Sequence, residues 1–184
     1  TQGSPLFLEE LVRSVDAGTF DELPATLVAI IQSRLQSLEF EARQILRAAS
    51  VFGEVFWRDG AAELLGGEST GDLDGEFELL IDAELIQPQP TSRYPSQREY
   101  RFRHALMREA AYSMLTEEDR ALGHRLAGAF LAGIGEDDPL VLAEHARRGG
   151  DLERAAGLYG TAALRAYERN DNAAALARAE LGIT

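Results

Sequence analysis

Two residue types are missing from this 184-residue chain, cysteine and lysine. Without cysteine there is no disulfide, no thiol nucleophile and no thiolate metal ligand. Without lysine there is no Schiff-base amine and no P-loop lysine, so all eighteen basic side chains are arginine. No apolar run reaches the ~20 residues that span a bilayer, and no signal peptide is recognisable. We therefore expect a cytoplasmic protein without a membrane partner.

Carboxylates outnumber arginines by 31 to 18, which gives the chain a net charge of −13. Such a surface repels nucleic-acid phosphates and anionic lipids unless a basic face is set apart from it. Apolar residues make up 45% of the sequence, an ordinary share for a globular protein. Both ends of the sequence are abrupt, and we expect an internal piece of a longer polypeptide.

Candidates for catalysis or metal binding are few. The acidic clusters at residues 117–119 and 136–138 lie where helix starts need capping groups, which favours capping over paired-carboxylate catalysis. The three histidines lie far apart in sequence, without a metal-binding spacing. We interpret His124 and His145 as half-exposed positions on helix surfaces. The sequence therefore predicts no catalytic residue and no metal site.

Helical spacing of apolar residues dominates the chain. Residues 1–20 read as a first helix that opens at Gly3-Ser4-Pro5. Residues 21–103 hold three main helices and two strands around a loop at 88–97, with a further strand stub within 52–57; this is the outline of a winged-helix domain. Residues 104–184 read as successive helices like tetratricopeptide hairpins. The predicted fold is mainly α: a winged-helix-like domain with a small two-stranded β wing, followed by helical hairpins.

A winged-helix outline suggests DNA binding, but the charges of the helix in the recognition position disfavour it. The helix in the recognition position, residues 72–84, carries six carboxylates and no arginine, so it would be repelled by phosphates. Four arginines surround the second strand, where they form either a basic patch or pairs with nearby carboxylates. They are Arg98, Arg101, Arg103 and Arg108. The charges therefore disfavour DNA as a partner.

Three stretches carry a family resemblance. They are GSPLFLEEL at residues 3–11, LPATL at 23–27 with the helix after it, and YRFRHALMREAAY at 100–112. Together and in this order they resemble the region that follows the P-loop domain of bacterial STAND signalling ATPases. Versions of this region occur attached to adenylyl or guanylyl cyclase domains or to LuxR-type regulators.

The resemblance implies a role for two residues and a set of partners. Residues 1–20 would be a lid-type helix whose Pro5 lies against a nucleotide base. His104 would contact the β-phosphate of ADP, although its neighbours here are Arg103 and Ala105 instead of Met and Asp; the alternative is that it caps its helix, and the two roles are compatible. ATP or ADP with Mg would be held by the preceding P-loop domain, so this chain itself would need no cofactor.

Three functional hypotheses follow. The first is a non-catalytic regulatory module of a nucleotide-switched ATPase, with a protein partner bound through the helical repeats. The second is a protein-interaction scaffold, independent of nucleotide, whose acidic helices bind a basic partner. The third is DNA binding by the winged helix. Nucleotide dependence separates the first two, and a salt-sensitive complex with DNA would mark the third.

Overall fold

The structure is a computed structural model that describes residue 31, residues 33–67 and residues 72–183. The chain divides into two units after Leu38. All the elements given below belong to the second unit, Glu39–Thr184. The predicted first segment, residues 1–20 with Pro5, lies outside the described residues.

The first part of this unit has the element order helix, strand, helix, helix, strand, strand. The elements are α1 (Phe40–Ser50), β1 (Val55–Trp57), α2 (Arg58–Leu64), α3 (Leu73–Asp82), β2 (Ile86–Pro88) and β3 (Glu99–Phe102). The strands form an antiparallel sheet in the order β1-β3-β2. The predicted strand stub is thus a full member, because β1 pairs with the second edge of β3 and makes the sheet three-stranded. The predicted class, mainly α with a small β element, is confirmed.

Aromatic side chains fill the core between the sheet and α3. Alternation along β3 turns Tyr100 and Phe102 inward while Arg101 stays exposed. Phe56 on β1 is fully buried, with its ring centroid 5.2 Å from that of Phe102. Phe77, on the apolar face of α3, lies 4.7 Å from the ring of Tyr100. The sheet is held by this cluster as well as by its ladder, since its strands are only three or four residues long.

Five helices follow, and side-chain caps mark four of their starts. They are α4 (Ala105–Ser113), α5 (Glu117–Gly133), α6 (Pro139–Arg148), α7 (Leu152–Glu168) and α8 (Asn172–Leu181). Each of the last four begins with a side-chain oxygen that accepts a backbone N–H in the first turn. The capping residues are Thr116, Asp138, Asp151 and Asp171. The capping role expected of the acidic cluster at 136–138 is confirmed at Asp138, whereas residues 117–119 lie in the first turn of α5 after the Thr116 cap.

The helical region, residues 105–181, packs on the winged-helix-like part, residues 40–102, within one unit. Helix α5 contacts α2 and α6, and α6, α7 and α8 contact one another in succession. Phe130 of α5 meets Phe52 edge-on at 5.9 Å between ring centroids. Gly60 of α2 lies against both rings, where a Cβ atom would come within 2.8 Å of each. Across the described ranges, none of the helices has the length and apolarity that crossing a bilayer requires.

Candidate functional site

His104 lies where β3 passes into α4. Its backbone is extended (φ −137°, ψ 132°) at the N-cap position, and its side chain makes no capping hydrogen bond. The carbonyl oxygen of His104 accepts the Met107 N–H at 3.0 Å, so the backbone starts the helix while the exposed imidazole stays outside it. The first amides of α4 lack intrahelical acceptors, as at any helix start. A ring nitrogen and these amides together suit a negatively charged group.

The arginines around the wing are paired with carboxylates. Three of them form exposed salt bridges across elements, and their charges are locally balanced. The pairs are Arg98–Asp74, Arg101–Glu54 and Arg103–Glu84, at 3.2, 3.2 and 3.3 Å. The fourth, Arg108, donates to the carbonyl oxygen of Ser50 at 3.1 Å and pairs with Glu109. Of the two readings left open by the sequence, pairing with nearby carboxylates is the one confirmed.

Helix α3 presents an acidic surface where a DNA-binding winged helix would present donors. Asp72 caps the helix by accepting the Gly75 N–H at 3.0 Å. Asp74 accepts a hydrogen bond from Arg58 at 2.6 Å, which lowers the pKa of the Asp74 carboxyl below its usual value. The helix itself supplies no basic side chain. Its geometry and charge therefore disfavour contact with a phosphate backbone.

The interpretation of His124 and His145 as half-exposed surface positions was wrong. His124 is 3% exposed and His145 6% exposed, and their Nδ1 atoms lie 3.0 Å apart. The two side chains, called the histidine pair below, join α5 to α6. They come this close because the helices cross at Gly128, where an added Cβ would lie 3.1 Å from the Cβ of His145.

A signal for the burial of His124 was present in the sequence. His124, Ala127, Gly128 and Leu131 recur at i, i+3, i+4 and i+7 and are all buried. The histidine therefore lies on the apolar face of α5. The sequence pattern does not predict the contact between His145 and His124, since this contact depends on how α5 and α6 cross.

The histidine pair is held in its neutral form. The Tyr112 hydroxyl lies 2.9 Å from Nε2 of His124. Burial, followed by the charges of His145 and Arg148, lowers the pKa of His124 to about 3. Burial and Arg148 lower the pKa of His145 to about 4, against a smaller opposing effect of Glu144. Two N–H groups cannot face each other at 3.0 Å, and two unprotonated nitrogens would leave both buried acceptors without a donor there. We therefore infer that one ring donates its Nδ1–H to the Nδ1 of the other.

A second buried polar group, Glu136, ties the wing loop (residues 89–98) to the turn between α5 and α6. Its carboxylate accepts the Tyr94 hydroxyl at 2.6 Å, the Arg93 guanidinium at 2.8 Å and the Asp138 N–H at 2.9 Å. Burial and this carboxylate raise the pKa of the Tyr94 phenol. The sequence indicated only a helix-start role for Glu136, and the 42-residue link to Tyr94 was not predicted. No group of three or more metal-ligating side chains occurs within residues 33–67 and 72–183.

Comparisons with known proteins leave the family open. No family model matches the chain, and no solved structure matches it. A protein of Rhizobium meliloti (strain 1021), named "Uncharacterized protein R02095", is 28% identical over 175 residues. The match takes in 85% of this chain and 16% of that protein, so the chain spans about a sixth of the length of its relative.

Proposed function

We propose that this chain is a non-catalytic regulatory module of a nucleotide-switched signalling ATPase of the STAND class, acting in the cytoplasm. The observation that carries the proposal is the exposed imidazole of His104, at a helix start but outside its capping. A P-loop domain of the same polypeptide would bind ATP or ADP with Mg. The module would convert the identity of that nucleotide into a change of domain contacts.

The chemistry proposed for His104 is phosphate recognition. A ring N–H donates to the β-phosphate of ADP, and the positive end of the α4 dipole favours the same charge. The family resemblance assigns contact with the nucleotide base to Pro5, which lies outside the described residues. Exchange of ADP for ATP changes the charge that His104 faces, and the winged-helix-like part is released; the nucleotide selects between two states.

The charge distribution supports a protein-facing role over DNA binding. The arginines at the wing are occupied by carboxylates, and α3 carries negative charge on its surface. Either feature alone opposes a duplex at this face.

The test is nucleotide retention by the chain joined to its ATPase domain. In His104→Ala, we expect ADP co-purifying with the protein to fall at least several-fold and basal output to rise. His104→Gln, which keeps a donor, should retain part of the ADP. His145→Gln serves as the control, because it changes a histidine of the α5–α6 contact and leaves the start of α4 unaltered. Unchanged ADP occupancy in His104→Ala would reject the role of this residue.

A second candidate function is a protein-interaction scaffold. Of the nine large apolar side chains that are exposed in the described residues, six lie between Leu152 and Ile183, in α7, α8 and the residue pair after them. Leu164 and Tyr167 are 57% and 65% exposed. Capture of one defined partner, lost in Leu164→Ser/Tyr167→Ser and equal with ADP, ATP or neither, would favour the scaffold over the nucleotide switch.

A further inference from the structure

A cleft of about 270 Å³ lies between the wing loop and helices α6, α7 and α8. Four arginines and two aspartates line it, in a chain whose net charge is −13. The arginines are Arg93, Arg165, Arg169 and Arg178, and the aspartates are Asp137 and Asp138. We call this site the arginine cleft. It concentrates positive charge on an otherwise acidic molecule.

Three of these arginines form no ion pair within the described residues. Arg165 donates to the carbonyl oxygen of Asp137 at 2.9 Å, and Arg178 donates to the carbonyl oxygen of Ala162 at 3.2 Å. Both acceptors are neutral. Throughout the described part of the chain, no salt bridge involves Arg165, Arg169 or Arg178. This differs from the wing, where strand arginines face carboxylates.

The fourth arginine and the two aspartates leave the lining with a net positive charge, since four guanidinium groups outnumber the two aspartate carboxylates even when Glu136, which binds Arg93, is counted with them. Arg93 binds Glu136 with one nitrogen at 2.8 Å, yet its side chain is 53% exposed and keeps other N–H donors. The Asp138 carboxylate accepts the Leu140 N–H at 2.9 Å, so it is engaged in capping α6. Asp137 contributes its carbonyl oxygen to Arg165 and leaves its carboxylate exposed.

We propose that the arginine cleft binds a small molecule through its phosphate groups. Guanidinium groups present forked N–H donors that match phosphate oxygens. Each arginine side chain has five N–H donors, and Arg93, Arg165 and Arg178 each use one nitrogen in the hydrogen bonds described above. An anion in the cleft also relieves the repulsion among the arginines. No aromatic residue belongs to the described lining, so the groups that can hold a ligand there are the guanidinium donors. Recognition therefore rests on the phosphates, which places this site beyond the nucleotide role proposed for His104.

The test uses inorganic pyrophosphate, titrated into the whole chain by calorimetry at low salt. We expect saturable binding with one site per chain. In Arg165→Gln/Arg178→Gln, the affinity should fall by at least about tenfold, since two charged donors are lost. Arg154→Gln is the matched control, because it removes the same charge from α7 at an exposed position outside the cleft.

Two further arms keep the result decisive. Arg169→Gln changes an exposed side chain of the lining, so the protein should still fold even if the double variant does not. The affinity for pyrophosphate should fall several-fold in this variant. Citrate separates phosphate recognition from attraction of any trianion. The proposal is overturned by the absence of saturable binding, by equal weakening in Arg154→Gln and the cleft variants, or by citrate binding as tightly as pyrophosphate.

Discussion

The histidine pair makes the stability of this protein depend on pH in a defined window. Both side chains are nearly fully buried, and burial lowers the pKa of His124 to about 3 and of His145 to about 4. In the unfolded chain a histidine has a pKa of about 6.5. As the pH falls below that value, His124 and His145 become protonated in the unfolded state but stay neutral in the folded state. Stability is therefore complete above about pH 6.5 and is lost as the pH falls toward 4.

The expected size follows from linkage. Between about pH 7.5 and 5, protonation stabilises the unfolded state by about 2 kcal/mol per histidine, and the folded pair gains almost nothing. The free energy of unfolding should thus fall by about 4 kcal/mol for the two together. Glu144 contributes little to this change. The pKa of its carboxyl is lowered to about 2, chiefly by its hydrogen bond from Arg147, and that of an unfolded glutamate is about 4.3. Both values lie below pH 5, so the carboxyl stays mostly ionised in both states across the window.

Urea unfolding followed by Trp57 fluorescence measures this change, because Trp57 is the single tryptophan and packs with Tyr94 and Leu131 in the unit that holds the pair. His124→Gln/His145→Gln should be less stable at neutral pH yet lose under ~1 kcal/mol between the two pH values. His145→Gln alone should lose about 2 kcal/mol. His104→Gln, at an exposed site, should behave like the wild type. A wild-type loss equal to that of the double variant would refute the reasoning.

Three further predictions concern the core, the wing loop and a helix start, each followed by urea unfolding with circular dichroism. Phe56→Ala empties the center of the aromatic core and should cost about 3–5 kcal/mol, whereas Phe40→Ala, 61% exposed, should cost under ~0.5 kcal/mol. Tyr94→Phe removes one donor from the buried Glu136 carboxylate and should cost about 1–3 kcal/mol; a cost near zero would mean that Glu136 needs no phenol donor. Asp151→Ala removes the α7 cap and should cost about 1 kcal/mol, partly restored by Asp151→Ser.

Features of the fold that depend on residues close together in the sequence could be predicted from the sequence. Cap residues such as Asp138 and Asp151 act within three residues of themselves, so their roles could be read directly from the chain. The alternation of Tyr100, Arg101 and Phe102 likewise fixed which face of β3 is buried. Helix type and class follow from the same short-range patterns.

Sites that depend on helix crossings could not be predicted in this way. His124 and His145 are 21 residues apart, and their contact requires α5 and α6 to approach at Gly128. Glu136 and Tyr94 meet only because the wing loop folds over the turn after α5. In both cases the deciding quantity is the relative placement of two elements, which no spacing within one element contains.

In the winged-helix-like part, the topology favours DNA binding by α3 and the charge distribution opposes it; the charge is the stronger argument. The element order alone would place α3 in the position of a recognition helix, but a duplex at that face would meet Asp74 already bound by Arg58 and Arg98. Freeing those arginines for phosphates would leave their carboxylates beside the same backbone, so the exchange gains no net positive charge. The arginine cleft differs in this respect, because Arg165 and Arg178 are anchored by neutral carbonyl groups. An anion there adds a counter-charge without displacing one, which is why the cleft, rather than α3, is the better place to look for a phosphate ligand.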